Sequence, residues 1–367
     1  MNKQNAPIKV LVAMSGGVDS SVVAYLLKQK GYAALGVFMR LGVEQGNAEA
    51  AARRVCRQLG IKFYPFDISR RFQKEVINYF IDSYKKGITP NPCVNCNKLI
   101  KFGELFKLAK QLECDYLATG HYARLGRKLQ ITNYKLQIQS SKAKSQKLFS
   151  LLKGKDASKD QSYFLYNLTQ GQLGRILFPL GDFKKEKIKK IASGLNLPNL
   201  KSESQDICFL QGDHNDFLKN KIKLKPGPIV LLEKKKEKVI GEHRGLPLYT
   251  VGQRRGVEIG GTGPYYVLRC DYQKNILYVA TNHDDPLLYS KKLILKNINW
   301  IFGIAPKFPL HCTAVIRYRH KGTPCIVREE QSSALFVRLK NPERAITPGQ
   351  SVVFYLGDQV LGGGVIV

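Results

Sequence analysis

The stretch Val10-Leu-Val-Ala-Met-Ser15-Gly-Gly-Val-Asp19-Ser-Ser-Val22 limits the fold of this chain more than any other. An apolar run breaks at two glycines and resumes as Ser20 to Lys30, with Val22, Val23, Leu26 and Leu27 on one face and Gly31 beyond the end. Buried strand, tight turn and amphipathic helix is the order this pattern predicts. Glycines at such a turn let backbone N–H groups approach an anion, and the helix start adds the positive end of its dipole. The turn is built for phosphate.

It is not a Walker loop, because GxxxxGK[ST] and its lysine are absent, and it is not the GxGxxG of a dinucleotide site. SGGVDS instead resembles the pyrophosphatase loop (PP-loop) of enzymes that split ATP between the α and β phosphates. The resemblance implies that the loop holds pyrophosphate while AMP is joined to a substrate oxygen.

The β-α-β-α alternation continues downstream. Ala33 to Met39 and Lys62 to Phe66 read as strands, with helices over 47–59 and 69–86. This predicts a Rossmann-like α/β domain with a parallel sheet and ligands at the carboxyl ends of its strands. Met39 and the Gly120-His121 pair, each ending a strand, then fall on the ligand side. A Pro/Asn-rich loop, Thr89 to Lys98, carries Cys93 and Cys96 on that same edge.

A lysine-rich insertion follows at about 127–155 and reads as an inserted loop or hairpin. The PP-loop domain is expected to span 1–205 and a small central domain 206–275. Short strands over 276–367 predict a C-terminal antiparallel β-barrel whose Arg and Tyr residues suit RNA contacts.

Composition names the class of partner. With 59 basic against 28 acidic residues the formal charge is +31, which points to a polyanion, because each neutralised phosphate releases counterions. Together with 18 tyrosines and a nucleotide loop, the favoured polyanion is nucleic acid. No stretch approaches the ~20 apolar residues of a membrane span, so a cytoplasmic location and no membrane partner are expected. Eight cysteines in such a setting suggest reactive or metal-binding thiols over a disulfide scaffold. Cys56, Cys114, Cys270, Cys312 and Cys325 mostly fall in apolar runs and read as buried and inert.

SGGVDSSV, GVFM, TPNPxxxCNKxIKF, ATGHY, KDQSYFL, ICF, LYTVGQRRG, RYR, TPGQ and LGGG occur here in the order seen in bacterial tRNA-specific 2-thiouridylases, the MnmA family, and the chain resembles that family from end to end apart from the insertion. The resemblance implies ATP-dependent adenylation of C2–O of the wobble uridine in tRNA, with Mg2+ as companion, followed by sulfur transfer from a sulfur donor protein. Carried over by position, Ala13, Met14, Ser15, Gly16, Gly17, Val18, Asp19, Ser20, Met39 and Gly120 would contact ATP. Cys96 would be the nucleophile and Cys208 the persulfide carrier, the two pairing as a disulfide during turnover. Asn91, Pro92 and Cys93 would flank the base. His121, Lys159, Asp160, Gln161, Arg317, Tyr318 and Gln350 match tRNA-contacting positions.

Two departures stand out. Many relatives have aspartate where this chain has Cys93, so the aspartate's role cannot pass to it. Cys93, Cys96 and Cys208 could instead ligate a [4Fe–4S] cluster, and the residues leave persulfide and cluster routes open. The link Arg40 to Asn47 is also shorter than expected, which alters loop closure more than chemistry.

Overall fold

The computed structural model describes residues 7–126, 148–195, 207–210, 212–233, 236–257, 259, 264–330 and 334–367. Most of the lysine-rich insertion and the expected boundary at 205 lie outside the described residues.

Five parallel strands form the first sheet, in the order β3-β2-β1-β4-β7. They are β1 (Lys9–Ala13), β2 (Ala33–Arg40), β3 (Lys62–Asp67), β4 (Tyr116–Ala118) and β7 (Ile176–Leu177). Val10, Leu11 and Val12 of central β1 are fully buried, which is why that segment is apolar without alternation: a parallel strand has both faces covered. Helices α1 (Val18–Gln29) and α2 (Ala48–Gln58) follow β1 and β2. Val22, Val23, Ala24, Leu27, Ala52 and Val55 turn inward into one apolar cluster beside this sheet.

Between β4 and β7 the chain leaves the sheet. β5 (Ala123–Gly126) and β6 (Ser150–Lys153) form an antiparallel hairpin around the insertion, and β6 pairs with the last strand of the molecule, β17 (Gln359–Ile366). The ends of the insertion thus tie the first domain into the third.

The central sheet has the order β10-β11-β8-β9, formed by β8 (Gly227–Glu233), β9 (Lys236–His243), β10 (Tyr266–Asp271) and β11 (Ile276–Ala280). A boundary at residue 276 therefore cuts through it, because Leu277 to Val279 pair with Ile229 to Leu231; the barrel strands begin at Tyr289. The six barrel strands are β12 (Tyr289–Trp300), β13 (Leu310–Val315), β14 (Thr323–Glu329), β15 (Leu335–Arg344), β16 (Ser351–Leu356) and β17. They run β12-β15-β14-β13-β16-β17, and β17 pairs back onto β12, which closes the antiparallel barrel. Closure removes exposed strand edges. Among the described residues no helix is long and apolar enough to cross a membrane.

Candidate active site

The turn after β1 is held by its own serines. The Ser15 N–H donates to Ser20 Oγ (3.1 Å), while the Ser20 and Ser21 hydroxyls donate to the Gly17 carbonyl (3.0 and 2.9 Å). Gly16 has φ +78, and a Cβ there would lie 2.3 Å from the Ala48 carbonyl oxygen, so only glycine fits between the turn and α2. Gly17 caps α1 in an extended conformation with no side chain to offer. Among the described residues no side chain caps the first N–H groups of α1, which stay open as helix starts do without a cap. Gly120, beyond the end of β4, would place a Cβ 3.3 Å from Asp19 Cβ and 3.5 Å from the Ser20 nitrogen. The absence of a side chain lets the two strand ends converge.

Asp19 is doubly held. Lys185 Nζ lies 2.7 Å from both carboxylate oxygens and the Tyr122 hydroxyl donates to Oδ1 at 2.8 Å. Neither partner was singled out in the sequence: Lys185 sits in the run KKEKIKK, where one lysine looks like the next. On β2, the partly buried Met39 offers its carbonyl to Gln45 Nε2 (3.0 Å), which folds the short 40–47 link back on itself.

His121 is buried, its Nδ1 2.8 Å from Thr119 Oγ1 and its ring against Phe102 and Phe178 at 5.7 and 6.0 Å. Burial, then the nearby Lys101 charge, pushes its pKa well below 6.5. The ring is neutral at physiological pH.

Asn91 accepts from the Val94 N–H (3.3 Å) and Pro92 opens the short Pro92–Cys96 helix. Asn–Pro is a start signal, supplying an acceptor and a preset φ at the first helical residue. Beyond Cys96 the helix widens: over Asn97–Glu104 its bonding shifts to five-residue spacing, as in Leu105 N–H to the Ile100 carbonyl. Such widened turns are frequent at functional sites. Asn97 is 3% exposed, and its Oδ1 has no partner among the described residues.

Cys96 is buried in the cluster that also holds Ile100, Phe209 and Leu210. Cys208 rides on a turn whose next residue, Phe209, is wedged against Phe80, Phe217 and Phe72 at 5.3, 5.6 and 6.1 Å. Burial pushes the Cys96 thiol up to about 12; Lys101 opposes that rise, and negative charge on Cys208 and Cys93 adds to it. The Cys208 side chain reaches solvent, yet desolvation of its thiol also raises its pKa, again opposed by Lys101. Cys96 and Cys208 thus share one electrostatic neighbourhood with Lys101, and Cys93 acts on Cys96 there. No pair of the eight cysteines forms a disulfide, and among the described residues no three His, Cys, Asp or Glu side chains are grouped to hold a metal ion. Burial raises the thiols of Cys56 and Cys270 to about 11 and about 12, and that of Cys114 as well. Cys312 and Cys325 face each other across β13 and β14 with sulfurs 3.5 Å apart.

The remaining candidates lie where the domains meet. Asp160 accepts from the Gly154 and Ser162 N–H groups and the Ser162 hydroxyl at 2.9, 3.1 and 2.9 Å. Gln161 brackets Tyr122, its Oε1 accepting from the Tyr122 N–H (3.1 Å) and its own N–H donating to the Tyr122 carbonyl (3.0 Å). The Lys159 N–H donates to the Asp156 carbonyl at 3.1 Å. Tyr318 lies tilted against Phe164, ring centroids 4.4 Å apart, and the exposed Arg317 donates to the Arg344 carbonyl at 3.0 Å. Gln350 Nε2 donates to the Thr89 and Pro90 carbonyls (3.0 and 3.3 Å), at the start of the cysteine loop.

Comparison with known proteins decides the family. Residues 8–212 match the tRNA methyl transferase HUP domain, 215–281 the tRNA methyl transferase PRC-barrel domain and 290–366 the aminomethyltransferase beta-barrel domain. A tRNA-specific 2-thiouridylase MnmA of Caldanaerobacter subterraneus subsp. tengcongensis is 42% identical over 100% of this chain and 99% of its own. The chain belongs to the tRNA-specific 2-thiouridylase family. Similar members are found in Geobacillus kaustophilus, 42% identical over 98% of this chain and 95% of that one, and in Chloroflexus aggregans, 43% identical over 97% of each. The three matched ranges hold the parallel sheet, the central sheet and the barrel in turn, with the glycine turn, Cys96 and Cys208 in the first.

Proposed function

We propose that this protein is an ATP-dependent tRNA-uridine 2-sulfurtransferase of the cytoplasm. The observation that carries the reading is the end-to-end likeness to tRNA-specific 2-thiouridylases, supported by the packing of Cys96 in one cluster with Phe209, the neighbour of Cys208, and by the close approach of Gly120 to Asp19 at the glycine turn. The open N–H groups of the turn hold the phosphates of ATP. The uridine O2 attacks the α-phosphorus, the bond to the bridging oxygen breaks, and pyrophosphate leaves with the electron pair. The C2–O bond then carries AMP, a good leaving group.

The terminal sulfur of a Cys208 persulfide, loaded by a donor protein, attacks C2 and AMP departs. The Cys96 thiolate attacks Cys208 Sγ, which leaves sulfur on the base and joins the two cysteines as a disulfide. A thiol reductant resets the pair. Exposure of Cys208 and burial of Cys96 suit a carrier that meets a donor and a resolving thiol that does not. The basic excess gathers tRNA, and a single-stranded base enters the pocket at less cost than a paired one.

A cluster on Cys93, Cys96 and Cys208 has less support, since these side chains do not meet as a ligating group, and no step is drawn through one. Mg2+ would enter with ATP as its counter-ion. The test incubates the protein with tRNA, ATP and a persulfide donor and reads 2-thiouridine by mass spectrometry of hydrolysed tRNA. Product with AMP release from iron-free protein supports the reading; AMP without thiolated base, or product only with iron, rejects the persulfide route.

A further inference from the structure

The phosphate turn carries no lysine of its own, since nothing between Ala13 and Ser20 is basic, yet the fold brings one to it from 166 positions away. Lys185 opens the Lys185–Gly194 helix. Its backbone N–H donates to Asp156 Oδ2 at 2.9 Å, and Asp156 is itself fixed by the Ser158 N–H (3.0 Å) and hydroxyl (2.6 Å). The ammonium is therefore delivered from an anchored backbone.

An ammonium has three donors. Two meet Asp19 Oδ1 and Oδ2 at 2.7 Å, and the third has no hydrogen-bond acceptor among the described residues. The Lys185 side chain is 14% exposed, so its charge acts through less water than a surface lysine's. Asp19 lies in the first turn of α1, beside the open N–H groups. Unpaired, its carboxylate would repel phosphate there. Lys185 cancels that repulsion and still offers a donor.

We propose that Lys185 is the phosphate-gripping cation of this site, held at the turn by Asp19 and contacting the β and γ phosphates of ATP. The assignment rests on the ATP reading above. In adenylation, the bond from the α-phosphorus to the bridging oxygen breaks and its electron pair leaves on pyrophosphate. Lys185 stabilises that charge, the part a loop lysine plays in a Walker site. It is one residue of the lysine-rich run recruited for chemistry.

The experiment compares full-length wild type with Lys185→Met and Lys185→Arg, measuring equilibrium binding of ATP and of AMP and tRNA-dependent ATP–pyrophosphate exchange. Loss of one charge-assisted contact predicts ATP binding weaker by about tenfold to a hundredfold in Lys185→Met, AMP binding within about twofold of wild type, and substantial recovery in Lys185→Arg. Unchanged ATP binding in Lys185→Met overturns the proposal. So does an equal loss for ATP and AMP, which is the mark of a structural role. If the Met variant does not fold, Lys185→Gln, which keeps a donor without charge, supplies the same contrast. Wild type that binds no ATP would instead reject the function reading.

Discussion

The side-chain amide of Gln350 donates to the carbonyl of Thr89 at 3.0 Å, joining residues 261 positions apart. The Thr89 N–H returns a bond to the Pro348 carbonyl at 3.0 Å, and a Cβ on Gly349 would lie 2.2 Å from Ile88 Cγ2. A barrel turn thus clasps the loop that leads to Cys93 and Cys96. The thiols are positioned partly from the far end of the chain.

Gln350→Ala should loosen that loop. The expected result is thiolation slowed by about tenfold, as small misplacements of reacting groups can cost that much or more. The dissociation constant for tRNA should stay near wild type. Filter binding with single-turnover thiolation separates the two; a large rise in the tRNA constant with an unchanged chemical step would make Gln350 an RNA reader and not a clasp.

Cys96→Ser and Cys208→Ser should each abolish 2-thiouridine formation while tRNA-dependent pyrophosphate release persists, because adenylation uses neither thiol. The check is nucleoside mass spectrometry beside pyrophosphate release. Thiolation retained in either variant removes that residue from the sulfur route.

Cys96 should be slow to alkylate at neutral pH. With a pKa near 12 its iodoacetamide rate in a Cys208→Ser background should climb about tenfold per pH unit through the neutral and mildly alkaline range, since the thiolate is the reactive form. The same shift links to stability. The folded value lies above the ordinary 9.0, so the neutral thiol's contribution is complete below 9.0 and lost as pH rises through about 12. Cys96→Ala should flatten that alkaline limb in urea titrations.

His121 has the opposite sign. Its folded pKa is depressed, so its contribution is complete above 6.5 and lost as pH falls through the folded value. His121→Asn should lessen the loss of urea midpoint between neutral and mildly acid pH.

Gly16→Ala and Gly31→Ala form a matched pair. Both glycines have φ near +80, but a Cβ at Gly16 meets the Ala48 carbonyl at 2.3 Å and one at Gly31 meets nothing within 4 Å. Gly31→Ala should cost about 1 kcal/mol from the left-handed backbone alone. Gly16→Ala should cost more and weaken ATP binding; equal costs in denaturant titrations would mean α2 yields easily.

The sequence by itself determined whatever depends on near neighbours. A run of buried aliphatics, two glycines and an amphipathic face specify strand, turn and helix locally, and Asn91-Pro92 specifies a helix start in the same way. The ordered motifs carried the family. What only the tertiary structure decided are partnerships between residues far apart: Lys185 with Asp19, Gln350 with Thr89, and β6 with β17. Each depends on how distant segments pack, and one lysine in a lysine run, or one glutamine after a turn, carries no local mark of its partner. Cys96 is an example of both. Its spacing from Cys93 is plain in the sequence, while its burial, and hence the height of its pKa, comes from Phe209 and its neighbours closing over the widened helix.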